Sequence, residues 1–349
     1  YKIKIIIAYG TRPEIIKISP IIIELIKRKI VYKTIFTGQH KELYNDVKSL
    51  IPKPDYHLNV MKRNQSLADI TAGISSQLGL ILQKEKPTLL IVQGDTSTVA
   101  ICALIAYYEK IPIGHVEAGL RTFNLDSPFP EEGNRQIVSR IATYNWAPTI
   151  QAAANLKNEN LNNIFITGNT VIDALIDGIK ITKNYNNNEI EVLKKIISND
   201  RKIILITGHR RENFGSGFKN ICNAILEISE DPNIDIIYPV HLNPNVKKTV
   251  YDLLSGKKNI HLLNPLNYPA FIWLMSKSHI ILTDSGGVQE EAPSLGIPVL
   301  VMRNTTERPE GIDAGFCSVV RYSGRYPLNL NEKPPTYFFI MLYLSQQYT

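Results

Sequence analysis

The chain has 349 residues, 44% of them hydrophobic and 20% charged, with 20 Gly and 20 Pro. That length suits two domains with full cores, and the composition excludes a minimal module, a collagenous chain and a disordered one. Lys and Arg outnumber Asp and Glu by 39 to 32, but the basic residues are scattered, which argues against a nucleic-acid binder and suits a small phosphorylated anion.

Short β-branched runs alternate with segments of helical periodicity. The first run, 3–9 (IKIIIAY), follows Lys2 and imitates a signal peptide, yet Gly10-Thr11-Arg12-Pro13-Glu14 cuts it short, so it reads as a buried strand. A helix over 14–29 and a strand over 31–37 follow, then a strand over 87–93, a helix over 98–110 and a strand over 111–117. Further strands are predicted over 163–168, 202–208, 234–240, 259–263, 279–284 and 297–302. Strand and helix in alternation predict βαβ units and parallel sheets. The rhythm resets at 202–208, after the polar stretch 183–188 (KNYNNN). The expected fold is therefore α/β: two doubly wound, Rossmann-like domains, 1–168 and 169–349, facing across a cleft. The last apolar run, 337–344, is far below the roughly 20 residues that cross a bilayer, so no membrane span is expected. Cys102, Cys222 and Cys317 lie far apart with no Cys-x-x-Cys, which argues against a disulfide framework or a zinc site and fits a reducing cytoplasm.

Open parallel sheets bind ligands beyond the carboxyl ends of their strands, so the loops after the strands hold the chemistry. After the first strand, Arg12 and Lys17 direct a cationic pair at a helical turn begun by Pro13, an anion site set against a plain strand-to-helix turn. No Walker loop and no G-x-G-x-x-G fingerprint occurs. Asp95 and Glu117 end two strands separated by one helix, so both reach one sheet edge, where paired carboxylates suit acid/base work; the plainer alternative is a helix cap and an ion pair. Glu131 and Arg135 are spaced to share a helix face and to hold each other in place. In the second half His209, Arg210 and Arg211 follow a strand, which favours a phosphorylated ligand. Ser285 can cap the next helix while Gly286 and Gly287 let backbone N–H groups approach a diphosphate, and Glu291 is placed for ribose hydroxyls. Arg308 adds charge beyond the following strand, and Phe271 lies on the preceding helix as core or base platform. The seven histidines show no ligand spacing, so no metal is expected.

Taken in order, GTRPEIIK, TGQH, QGDTST, GHVEAGLRT, PFPEEGNR, TGNTVIDAL, TGHRRENFG, YPVHLNPNV, TDSGGVQEEAPSLG and TTERPEG resemble the non-hydrolysing UDP-N-acetylglucosamine 2-epimerases, from Gly10 to about Val320. The resemblance implies the glycosyltransferase-B architecture and reversible conversion of UDP-N-acetylglucosamine to UDP-N-acetylmannosamine, a precursor of cell-surface polysaccharide. UDP is eliminated to leave 2-acetamidoglucal and is added back with inverted C2, without a cofactor. It further implies Asp95, Glu117, Glu131 and His209 as catalytic positions supported by Arg135. Arg12, Lys17, Phe271, Ser285, Gly286, Gly287, Glu291 and Arg308 match positions that hold UDP. Gln39, His40, Gln65 and His241 match motifs where a second substrate molecule activates some bacterial members. A cytoplasmic homodimer is the family expectation. Residues 321–349 depart from the pattern and form an atypical tail. A retaining UDP-sugar glycosyltransferase, or a UDP-sugar binder inactivated by that tail, are the alternatives.

Overall fold

The computed structural model describes residues 3–38, 51–58, 60, 66–182, 188–197, 200–210, 213–303, 315 and 317–319. The chain forms two compact units, Tyr1–Asp177 and Gly178–Thr349.

The first unit runs β1 (Lys4–Tyr9), α1 (Arg12–Lys27), β2 (Val31–Phe36), β3 (Tyr56–His57), α2 (Leu67–Glu85), β4 (Leu89–Gln93), α3 (Ser97–Tyr108), β5 (Ile113–Val116), α4 (Glu131–Ile141), β6 (Tyr144–Ala147), α5 (Ile150–Asn158) and β7 (Ile164–Ile166). Its strands pair in parallel in the order β3-β2-β1-β4-β5-β6-β7. Both faces of the central strands are covered, as parallel sheets require. Ile6 and Ala8 pack with Ile74, Leu78, Val99 and Cys102, while the alternating residues Ile7 and Tyr9, on the other face, are equally buried. Each fully buried Ile contributes about 2 kcal/mol of transfer free energy. Helix starts follow local capping: Ser66 Oγ accepts the Asp69 N–H at 3.2 Å while Asp69 accepts the Ser66 N–H at 2.9 Å, fixing the first turn of α2.

Helix α6 (Thr170–Thr182) contains the division between the units, where the sequence reading has it ahead of this helix. The second unit continues with α7 (Asn188–Ile196), β8 (Lys202–Thr207), α8 (Ser216–Ile228), β9 (Ile234–Pro239), α9 (Pro244–Leu254), β10 (Ile260–Leu263), α10 (Tyr268–Lys277), β11 (Ile280–Thr283), α11 (Gly286–Glu291), β12 (Val299–Val301) and β13 (Cys317–Val319). Its parallel strand order is β10-β9-β8-β11-β12-β13. Ile204, Ile206, Phe218, Cys222, Ile225 and Val250 belong to its core.

Three of the described strands, β3, β6 and β13, are absent from the sequence expectation. β6 (YNWA) has no apolar run; it forms because Gly114 of β5 leaves room for Trp146, whose Cη2 would stand 2.4 Å from a Cβ there. β3 has two residues and too little pattern to read. Among the described residues no helix is long and apolar enough to cross a membrane.

Candidate active site

Each sheet reverses its strand order once, between β1 and β4 and again between β8 and β11. Loops diverge at such a point and leave a crevice at the carboxyl edge.

In the first unit Gly10 opens the crevice. A Cβ there would lie 2.3 Å from Thr37 Oγ1 and 2.4 Å from Thr98 Oγ1, so a side chain would break this approach. α1 begins at Arg12, which is half-buried, and Glu14 then turns back. Glu14 Oε2 accepts the N–H groups of Gly10 at 2.5 Å and Thr11 at 3.2 Å, while Oε1 accepts the Thr96 hydroxyl. Thr96 is the N-cap of α3, so one buried carboxyl ties the loop after β1 to the loop after β4. Burial pushes that carboxyl up to about 7; its hydrogen bonds oppose the rise and the neighbouring Asp95 charge adds to it.

Asp95 Oδ2 receives both Nη2 and Nε of Arg135, the latter at 3.1 Å, and the Asp95 carbonyl accepts Asn134 Nδ2 at 2.9 Å. Oδ1 has no protein partner among the described residues, and the side chain is 28% exposed. The expected Glu131–Arg135 pair does not form. Arg135 bonds Glu132 at 3.1 Å instead. Glu132 is fully buried and needs a counter-charge, whereas Glu131, at the first position of α4, is partly solvated. Burial would raise the Glu132 carboxyl, but the N–H groups of Thr122 and Phe123, Gln136 and Arg135 together hold it below its ordinary value.

Glu117 follows β5 with φ +66°, a left-handed backbone that favours glycine, and this aims its side chain back over the strand end. Lys17 Nζ lies 2.5 Å from Glu117 Oε1, and Gln93 Nε2 donates to Oε2. A Cβ on Gly94 would stand 3.8 Å from that Oε2, which puts the carboxylate beside the Gly94-Asp95 turn. Lys17 therefore does not stand with Arg12 as a cationic pair for an anion; a carboxylate already faces it, because parallel strands bring Glu117 to the same edge as α1. His115 Nε2–H donates to the Gly94 carbonyl at 2.8 Å, and burial drives its imidazole down to about 4, so it is a neutral brace.

In the second unit Asp284, directly after β11, is fully buried. It accepts the N–H groups of His209 and Arg210, each at 2.9 Å on Oδ2, and Asn213 Nδ2 at 3.2 Å, and so holds the turn after β8. The His209 ring stacks on His241 with centroids 5.5 Å apart. Ser285 occupies the N-cap position of α11, but its hydroxyl makes no capping bond. The Ser285 carbonyl instead accepts the Gln289 N–H at 3.3 Å and Nε2 at 3.2 Å, which closes this short helix without the side chain. Among the described residues a Cβ on Gly287 would meet only Ser285 Oγ, at 4.0 Å, which leaves its backbone open to approach there. Glu291 is buried, with Oε1 accepting the Tyr268 hydroxyl at 3.4 Å; Phe271, one helical turn beyond Tyr268 on α10, is half-buried. Gln39, His40, Gln65 and Arg308 lie outside the described residues.

Sequence reasoning missed Glu14, His115, Glu132 and Asp284. Glu14 had a signal: Thr11-x-x-Glu14 is a capping-box spacing. Among the described residues no group of three or more His, Cys, Asp or Glu could hold a metal ion.

The family model described as UDP-N-acetylglucosamine 2-epimerase matches residues 24–325. The UDP-N-acetylglucosamine 2-epimerase of Campylobacter jejuni is 51% identical over 91% of this chain and 85% of its own length. That of Escherichia coli K12 is 47% identical over 91% and 86%. The crystal structure of the UDP-GlcNAc 2-epimerase from Neisseria meningitidis bound to UDP-GlcNAc superposes with a TM-score of 0.83 at 48% identity, covering 91% of this chain and 87% of that one. MurG of Acinetobacter baumannii, 14% identical with a TM-score of 0.56, shares the fold alone. Sheet order, the loops at both reversals and these likenesses agree, and the chain belongs to the UDP-N-acetylglucosamine 2-epimerase family.

Proposed function

We propose that this chain interconverts UDP-N-acetylglucosamine and UDP-N-acetylmannosamine. A base takes the C2 proton, the C1–O bond breaks to release UDP, and the 2-acetamidoglucal so formed takes UDP back with a proton delivered to the other face of C2. The C2 proton is a poor acid and the departing diphosphate gathers charge, so the reaction needs placed carboxylates and placed donors together.

The observation that supports this most is Asp95: one carboxylate oxygen is fixed by Arg135 and the other is open, beside a second carboxylate, Glu117, that is fixed by Lys17 and Gln93. Asp95 meets the sugar proton in this proposal, and Glu117 and Glu131 stabilise or reprotonate the ring. In the second unit His209 serves the diphosphate. Ser285, Gly286 and Gly287 take the phosphates with Arg12 and Arg308 as cations, and Phe271 and Glu291 hold the nucleoside, while Lys17 holds Glu117. On the family resemblance we extend the proposal to a cytoplasmic homodimer that a second substrate molecule activates through Gln39, His40, Gln65 and His241.

The test is to supply each UDP-sugar alone and separate the products. The same mixture should be reached from either side with no acceptor present. Release of free UDP only when an acceptor sugar is added would favour a glycosyltransferase instead.

A further inference from the structure

Asp284 and His209 stand at the β8/β11 reversal in a relation that the assignment of His209 alone does not contain. Asp284 is fully buried, and three donors converge on its Oδ2: the N–H groups of His209 and Arg210 and the Asn213 amide. A dry carboxylate with that many donors is an ionised, acceptor-only group. Burial works against the charge, but His209 and the backbone N–H groups hold the carboxyl below its ordinary value.

The other oxygen, Oδ1, shares the His209 N–H at 3.1 Å and lies 3.1 Å from His209 Nδ1. An imidazole lone pair at that distance from a carboxylate oxygen is repelled, whereas a ring N–H is attracted, so Nδ1 bears the proton. Nε2 then belongs to a ring that is 41% exposed, and it has no protein partner among the described residues. His241 stacks on this ring at an interplanar angle of 23°, which resists a ring flip.

We propose that Asp284 is the positioning residue of His209, keeping the proton of the neutral ring on Nδ1 and leaving Nε2 as the nitrogen that exchanges a proton with the diphosphate. This rests on the proposed function for the ligand, but not for the tautomer. Nε2 takes a proton from solvent, and as the C1–O bond breaks that proton passes to a diphosphate oxygen while Nδ1–H stays hydrogen-bonded to Asp284.

The experiment uses the full chain labelled with ¹⁵N-histidine and long-range ¹H–¹⁵N correlation at about pH 9, above the ordinary imidazole range. The His209 signals are assigned by their loss in H209Q. The unaltered protein should show a protonated Nδ1 and an unprotonated Nε2. In D284N the amide oxygen should take the three-donor place of Oδ2, which turns the NH₂ group against Nδ1. The ring should then move to the Nε2–H form, and kcat for epimerisation should fall by about 10²-fold or more, with UDP affinity little changed. An Nε2–H ring in the unaltered protein overturns the proposal, whether or not D284N folds. So does a folded D284N that keeps Nδ1–H and full kcat. A protein that shows Nδ1–H yet does not epimerise would speak against the reaction and for the His209–Asp284 pair.

Discussion

Replacing Glu14 by Gln tests the packing of the first unit and its electrostatics at once. The folded chain raises this carboxyl from 4.5 to about 7, mainly by burial. Between those values the folded protein keeps a proton that the unfolded chain releases. The stability that Glu14 supplies is therefore complete below about pH 4.5 and lost as pH rises through about 7, a span worth about 3 kcal/mol. Glutamine mimics the protonated acid: its oxygen can accept from Gly10 and Thr11, and its NH₂ can donate to Thr96, whose hydroxyl turns to accept. The assay is urea unfolding followed by Trp146 fluorescence, with Trp273 replaced by Phe in both proteins so that only the first unit reports. From pH 4.5 to 8 the stability of E14Q relative to its parent should rise by about 3 kcal/mol. A difference that stays constant over that range, or that moves the other way, would refute the placement of a desolvated carboxyl at the β1/β4 reversal.

D95N should lose C2 proton exchange while still binding UDP in calorimetry; exchange at the parental rate would remove Asp95 from the proton step. G10A should lose about 1–3 kcal/mol in denaturant unfolding, because its Cβ must displace Thr37 and Thr98. Added stability would mean that the turn is looser than described. K17M removes the ammonium that faces Glu117 in a site where the two side chains are 13% and 8% exposed, and should destabilise by about 3 kcal/mol with loss of turnover. A K17M protein of parental stability and reduced UDP affinity would instead return Lys17 to the diphosphate.

Much of this architecture was legible because parallel sheets buried on both faces leave near-continuous apolar runs, and β1, β4, β8, β9 and β11 all follow them. β6 was not legible, since its fit depends on Gly114 making space across the sheet rather than on its own residues. Spacing placed Arg135 on the right helix but chose the wrong acid: residues three and four apart are both within reach, and burial of Glu132 decides between them. Lys17 shows the same limit, because its partner lies on a strand end one hundred residues away. Asp284 reads as one polar residue at the end of a strand; only the fold discloses that the turn after β8 closes over it.

The proposed reaction turns on removal and return of the C2 proton. Unaltered protein incubated with UDP-N-acetylglucosamine in D₂O and followed by NMR should show deuterium entering C2 as UDP-N-acetylmannosamine appears. Formation of the epimer with the original hydrogen retained at C2, or binding of the substrate with no exchange at all, would contradict the account.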